Sequence, residues 1–105
     1  MWEGDVWVAV RAARAGAGVV RRGFDEEFTT EMKGVVDPVT EIDHEAEFAI
    51  TSVIASHFPN DSILAEEGGG ADWRGRRVWI IDPLDGTVNF VNRIPQVAVS
   101  VALWD

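Results

Sequence analysis

Apolar residues recur at helical spacing through the first part of the chain. From Trp2 onward the stripe consists of Val6, Val10, Ala13, Ala17 and Val20. Acidic side chains near its start and two arginines near its end match the partial charges of helix termini, and Gly23 can end the helix. The pattern predicts a first helix from Trp2 to Gly23 with this stripe as its apolar face.

A second helix is expected directly after Thr40, a residue type suited to capping a helix N-terminus. Its apolar face consists of Ile42, Ala46, Ala49, Ile50, Val53 and Ile54. Phe58 precedes Pro59, and a residue before proline is disfavoured in helical conformation. The second helix should therefore end near Phe58.

Four further stretches have the features of strands. Residues 24–40 mix short β-branched and apolar pieces around "KG" and "DP", which predicts a hairpin or two short strands. "SILAEEGGG" and "VWIID" predict two more strands, and residues 97–103 alternate between a bulky face and a small face. This order of elements predicts an α+β or layered α/β fold, not a regular parallel βαβ array.

Composition and charge narrow the possible functions. A chain of 105 residues with 47% hydrophobic and 26% charged residues fits one globular domain, and the absence of cysteine excludes disulfides, thiolate metal sites and cysteine nucleophiles. The net charge of −9 should repel nucleic acid and anionic membranes. The only compact basic group, Arg74, Arg76 and Arg77, is expected to lie in a solvated loop.

The N-terminus has neither a basic leader nor a long apolar core, and no apolar run reaches the length of a membrane span. We therefore expect a cytoplasmic protein with neither a nucleic-acid nor a membrane partner.

The stretch "VWIIDPLDGTVNF" carries the candidate chemistry. Asp82 ends an apolar strand, where loops at the rim of a sheet often bind ligands. Asp85, Gly86 and Thr87 follow, and backbone N–H groups beside a glycine can approach a phosphate closely. Two acids would repel a phosphate unless a hard divalent cation such as Mg²⁺ lay between them.

A turn capped by aspartate needs no metal, because Asp-Pro and Asp-Gly are common turn pairs. Other acids favour the metal site: Glu66 and Glu67 follow another predicted strand, and Asp43 lies in the first turn of the second helix. The helix dipole alone would also explain Asp43. Both interpretations stay open at this point.

Haloacid-dehalogenase-type phosphatases also place an aspartate at a strand end, but one residue separates their two aspartates. Here Pro83 and Leu84 separate Asp82 from Asp85. This spacing disfavours a covalent aspartyl-phosphate mechanism.

Three segments resemble the inositol monophosphatase family: "DPVTEID" (37–43), "ILAEEGG" (63–69) and "WIIDPLDGTVNFVNRIPQVAVSVAL" (79–103). Members are lithium-sensitive, magnesium-dependent phosphomonoesterases that share a fold with fructose-1,6-bisphosphatase. The resemblance implies that residues 1–105 are the metal- and phosphate-binding N-terminal part of this sugar-phosphatase fold, with two main helices on a largely antiparallel sheet. In its full-length form the family is expected to be a homodimer.

The resemblance also implies a metal site. Glu66 and Asp82 would hold one Mg²⁺, with the Leu84 carbonyl completing the site, and Asp82 would bridge to a second ion held by Asp85. Two or three ions are expected, with Mn²⁺ as a substitute and Li⁺ as an inhibitor.

The implied catalytic groups adjoin these ligands. Asp85, Gly86 and Thr87 would bind the substrate phosphate, while Thr87 and Asp43, with Glu66, would orient and activate the attacking water. Lys33 and Glu67 are weaker candidates for a supporting role.

The implied function is hydrolysis of a small phosphomonoester similar to inositol monophosphate, without a covalent intermediate. Related substrates are fructose 1,6-bisphosphate, histidinol phosphate and 3'-phosphoadenosine phosphates. Because family members carry a further metal-binding aspartate in a later segment, we expect weak or no activity from these 105 residues alone. A non-catalytic metal-binding or assembly module is the alternative.

Overall fold

The computed structural model describes residues 2–24, 30–32, 38–65 and 77–105. The elements in chain order are α1 (Trp2–Phe24), β1 (Thr30–Met32), β2 (Pro38–Thr40), α2 (Glu41–His57), β3 (Ser62–Ala65), β4 (Val78–Asp85), α3 (Thr87–Val91) and β5 (Ala98–Trp104). None of the helices in these ranges is both long and apolar enough to cross a membrane.

The strands form a small hairpin and a three-stranded sheet. β1 and β2 pair antiparallel, as expected for residues 24–40. In the sheet, β4 lies between β3, which is parallel to it, and β5, which is antiparallel. Two of the three pairings within the described ranges are thus antiparallel, and both long helices cover the same face of the sheet, which confirms the layered arrangement.

The core lies between α1, α2 and the covered sheet face. The predicted apolar face of α2 is confirmed, since Ile42, Ala46, Ile50 and Ile54 are buried. From the sheet, Trp79 and Ile81 of β4 complete the larger cluster. On β5, Val99, Val101 and Leu103 pack against the core, whereas the alternating residues, including Trp104, are exposed.

The predicted apolar face of α1 is wrong for most of its members. Val6 is 59% exposed and Val10 is 43% exposed, whereas a different face is buried. That face consists of Val8, Ala12, Gly16, Val19, Val20 and Gly23. Its two glycines give no hydrophobic signal in the sequence, yet a Cβ built on Gly16 would lie only 2.7 Å from Ile50 Cδ1. The helices α1 and α2 therefore pack closely through positions that lack a side chain.

The expectation that Arg77 lies in a solvated loop is also wrong. Its guanidinium donates to Asp5 at 2.8 Å and to Asp61 at 3.1 Å, and it stacks over the Phe58 ring at 4.9 Å. The Trp79 indole N–H also donates to Asp61, at 2.9 Å. Arg77 thus ties the start of α1 to the start of β4. Arg74 and Arg76 lie outside the described residues.

The two glycines of α1 at positions 16 and 18 provide a matched test of this packing. A Cβ added at Gly18 would have no atom within 4 Å, so Gly18→Ala should stabilise the protein by roughly 0.5–1 kcal/mol through helix propensity. Gly16→Ala should instead destabilise it by about 1–3 kcal/mol, because its methyl would overlap Ile50. Urea unfolding of both variants measures this difference, and equal stabilisation by the two alanines would contradict the close contact.

The Asp5–Arg77 pair should make stability depend on pH. The hydrogen bond from Arg77 lowers the pKa of Asp5 below its usual value. The stabilisation is therefore complete above about pH 4, the range of the unfolded pKa, and is lost as the pH falls through the folded pKa. Asp5→Asn should flatten this acid dependence in urea unfolding between about pH 2 and 6. Asp105→Asn is the control, because Asp105 is 65% exposed and lies 3.4 Å from Arg77; an equal effect of both changes would contradict the assignment.

Candidate functional site

A β-bulge places the two aspartates of β4 on one face of the sheet. Asp82 lies opposite Ser100 and Asp85 opposite Ala98, so β4 carries one residue more than β5 between these pairs. Directly opposed residues of an antiparallel pair project to the same side, and Ser100 and Ala98 both lie on the exposed, small face of β5. Asp82 and Asp85 therefore project from the exposed face, although residues three positions apart in a regular strand would face opposite ways.

The residues inside the bulge fix its backbone. Pro83 has no N–H group to lose from the ladder, which suits a bulge, and the Leu84 side chain is buried with only 3% exposure. The Leu84 N–H donates to Asp82 Oδ1 at 3.3 Å, so the carboxylate also closes a local turn. Because the Leu84 side chain is buried in the core, it fixes the position of the carbonyl group of the same residue.

Asp43 is a buried carboxylate, 4% exposed, at the start of α2. Its Oδ2 atom accepts from the Thr40 N–H at 3.0 Å and from the Thr40 hydroxyl at 2.6 Å. The Asp43 N–H in turn donates to the Thr40 hydroxyl, which completes a capping box. The predicted cap at Thr40 is confirmed, and both of its donors bond to the same Asp43 oxygen, Oδ2.

Thr87 connects Asp43 to the end of β4. Its hydroxyl lies 3.1 Å from Asp43 Oδ1 and 3.1 Å from the Leu84 carbonyl oxygen, and both can accept its proton. A hydroxyl has one proton and two lone pairs. When Thr87 donates to Asp43, its lone pairs are left to accept a hydrogen bond from a further group. The structure thus brings together two residues that are 44 positions apart in the sequence.

Gly86 allows the sharp turn between β4 and α3. Its φ of +93° lies in the left-handed region, and a Cβ there would lie 2.8 Å from the Gln96 carbonyl oxygen. The Asn89 side chain donates to the same carbonyl at 2.9 Å. Both the conformation and the space at position 86 therefore require glycine.

The donor set at the end of β4 fits a hard divalent cation, because it consists of two carboxylates and a backbone carbonyl. Within the described ranges, no group of three or more acidic or histidine side chains converges as a metal site would require. Glu66, the third acid that the resemblance implies, lies outside those ranges, as do Glu67 and Lys33.

One residue of this site was missed by the sequence reasoning. Thr40 was expected only as a helix cap, but it is fully buried and orients the Asp43 carboxylate toward Thr87. The signal was present in the sequence, since a threonine followed three residues later by an acid is the pattern of a capping box. What the pattern does not reveal is that the same acid also bonds to a distant hydroxyl.

Comparisons with known proteins identify the family of this chain. A family model described as the inositol monophosphatase family matches residues 3–105. The Nus factor SuhB of Vibrio cholerae is 46% identical over 99 residues, and inositol monophosphatase 1 of Solanum lycopersicum is 41% identical over 100 residues. Each alignment covers 91% of this chain and 37% of the relative, so the chain spans little more than a third of their length.

Solved structures show the same fold. The SuhB protein of Bartonella henselae superposes with a TM-score of 0.88 at 33% identity, covering 95% of this chain and 40% of that one. An IMPase/NADP phosphatase complexed with Mg²⁺ and phosphate gives 0.80 at 28% identity, with 98% and 40% covered. A staphylococcal inositol monophosphatase in a LiCl-soaked inhibitory complex gives 0.79 at 26% identity, with 98% and 39% covered. Because this family model matches residues 3–105, which is nearly the whole chain, the chain belongs to the inositol monophosphatase family.

Proposed function

We propose that these 105 residues form the metal- and phosphate-binding part of a magnesium-dependent phosphomonoesterase. The observation that carries the proposal is the contact between the Thr87 hydroxyl and the buried Asp43 carboxylate, next to the strand end that presents Asp82 and Asp85. A structural turn would need the aspartates but would not need a hydroxyl bonded to a buried acid. The pair is instead suited to moving a proton.

The two oxygens of Asp43 have different roles in this proposal. Oδ2 is occupied by both donors of Thr40, so it holds the carboxylate in place. Oδ1 accepts a hydrogen bond from Thr87, and it is the oxygen that can take up a proton during the reaction. Thr87 would accept a hydrogen bond from the attacking water while donating its own proton to Asp43. General-base assistance of this kind requires the groups to lie within hydrogen-bond reach, as Thr87 and Asp43 do.

Asp82, Asp85 and the Leu84 carbonyl would hold magnesium, with Glu66 as a further ligand. When bound, magnesium offsets the negative charge of the phosphate and lowers the pKa of water. The N–H groups of Gly86 and Thr87, together with Asp85 through the metal, would position the phosphate. The solved IMPase/NADP phosphatase with Mg²⁺ and phosphate supports this use of metal in a similar protein, and the staphylococcal LiCl complex supports inhibition by lithium.

The substrate would be a small phosphomonoester similar to inositol monophosphate. Fructose 1,6-bisphosphate, histidinol phosphate and 3'-phosphoadenosine phosphates are the alternatives. Supporting roles for Lys33 and Glu67, two or three ions with Mn²⁺ as a substitute, a homodimer in the full-length form, a cytoplasmic location and the absence of a nucleic-acid partner stay predictions.

A second candidate function is a non-catalytic binding or assembly role. It is favoured by the name of the Vibrio cholerae relative, a Nus factor, which is 46% identical to this chain. In that case the Asp82–Asp85 site would bind metal without turnover. Measuring metal binding and hydrolysis on the same sample separates the two functions.

The first test measures Mg²⁺ binding by calorimetry and phosphate release from the candidate substrates, with and without Mg²⁺ and Li⁺. We expect Mg²⁺ binding and weak hydrolysis that requires Mg²⁺. Asp82→Asn should weaken Mg²⁺ binding at least about tenfold, because it removes a charged ligand. Thr87→Ala should abolish hydrolysis while leaving Mg²⁺ binding largely intact.

Three outcomes would contradict parts of this proposal. Absence of Mg²⁺ binding would contradict the metal site, and binding without any turnover would favour the non-catalytic role. Hydrolysis at rates normal for enzymes would contradict the expectation that these residues alone are weakly active. His44→Gln is a suitable control, because His44 is exposed on α2 one position from Asp43.

The second test concerns Thr40. Thr40→Val keeps the shape of the side chain but removes the hydroxyl that caps α2 and bonds to Asp43, so it should lower the free energy of unfolding by about 1–2 kcal/mol. Thr40→Ser keeps the hydroxyl and should lose less. Urea unfolding checks both changes, and a loss for serine equal to or greater than that for valine would contradict the expectation that the hydroxyl is the more important group at this position.

A further inference from the structure

Arg93 has a backbone conformation that is unusual for its residue type. Its φ is 60°, and it is the one residue other than glycine with a positive φ in the described part of the chain. Most side chains are disfavoured in the left-handed region, where glycine is the usual residue. The presence of arginine at this position therefore indicates that its side chain has a role that glycine could not fill.

The backbone of Arg93 closes the short helix α3. The Ile94 N–H donates to the Asn89 carbonyl at 2.8 Å, and the Arg93 N–H donates to the Phe90 carbonyl at 3.0 Å. These are the two hydrogen bonds of a Schellman motif, in which the residue after the C-cap is left-handed and is most often glycine. The conformation is therefore explained, but the choice of arginine is not.

The side chain of Arg93 bonds to a different helix. Its Nη1 group donates to the Phe24 carbonyl, and it lies 3.4 Å from the Gly23 carbonyl oxygen. These carbonyls end α1, where they have no partner within the helix, and a cation is favourable at that end. One residue thus closes α3 with its backbone and caps α1 with its guanidinium.

A second contact joins the same two helices. The rings of Phe24 and Phe90 pack edge to face with centroids 5.6 Å apart and an interplanar angle of 79°. Phe90 is fully buried, while Thr87 begins the same short helix. Because α3 has only five residues, its position should follow the contacts at its C-terminal end.

We propose that Arg93 is a positioning residue that holds α3 against the end of α1 and thereby sets the place of the Thr87 hydroxyl relative to Asp43. The inference rests on the proposed function only for the consequence in catalysis, since the link between the helices is visible without it. Arg93 itself lies at the far end of α3 from Gly86 and is not placed among the groups that bind phosphate. Its influence passes through the helix.

Three substitutions separate the backbone role from the side-chain role. Arg93→Gly keeps the left-handed conformation and removes the guanidinium, Arg93→Ala loses both, and Arg93→Lys keeps a cationic donor. Arg14→Ala, at an exposed position in the middle of α1, controls for the loss of one positive charge. The readouts are amide hydrogen exchange and amide chemical shifts by NMR, Mg²⁺-dependent binding of inorganic phosphate, and urea unfolding.

We expect Arg93→Gly to speed amide exchange in residues 87–94 up to about fivefold, as the loss of a helix-terminal cation predicts, with β4 unchanged. The Thr87 amide signal should shift, and phosphate affinity should fall by a similar factor. Arg93→Lys should restore most of both, and Arg93→Ala should be the least stable of the three. If the arginine served stability alone, urea unfolding would change without a shift of the Thr87 signal or a loss of phosphate affinity.

The proposal would be overturned if Arg93→Gly left the Thr87 signal and the exchange of α3 unchanged, or if Arg14→Ala altered them equally. If the unsubstituted protein failed to bind phosphate with Mg²⁺, the proposed function would fail. The exchange and shift measurements would still support or overturn the positioning role by themselves.

Discussion

The arrangement of the site depends on the hydrogen bonds that the Asp43 carboxylate accepts. It is almost fully buried and accepts hydrogen bonds from Thr40 at the end of β2 and from Thr87 at the start of α3. A buried carboxylate without such donors would cost several kcal/mol. The junction between β2 and α2 therefore has to meet the junction between β4 and α3, and this requirement fixes the two segments relative to each other.

The end of β4 and the short helix α3 contribute both to the core and to the candidate site. The Leu84 side chain is buried while its carbonyl oxygen lies 3.1 Å from the Thr87 hydroxyl, and Phe90 is buried while Thr87 contacts Asp43. Because the apolar side chains anchor the same backbone that carries the polar groups, the site is built on a packed segment and not on a free loop. Rigid support of this kind is what a site needs to keep its hydrogen-bond geometry.

The sequence predicted those features that local pattern determines. The cap at Thr40 and the apolar face of α2 depend on residues close together in the chain. The buried face of α1 could not be predicted, because Gly16 contributes to it by lacking a side chain. The setting of Arg77 depends on Asp5, 72 positions away. The common face of the aspartates was equally hidden, because it follows from the pairing with β5.

The bulge in β4 also has a consequence for how this motif can vary. Side chains of a strand alternate between its two faces, so residues three positions apart normally lie on opposite faces. The bulge adds one residue to β4 that has no partner on β5, and Asp82 and Asp85 therefore lie on the same face. The number of residues between the acids is thus a constraint separate from their identity. A strand that kept the same sequence but straightened would place Asp85 opposite Val97, on the face that packs against the helices, and would bury its charge there.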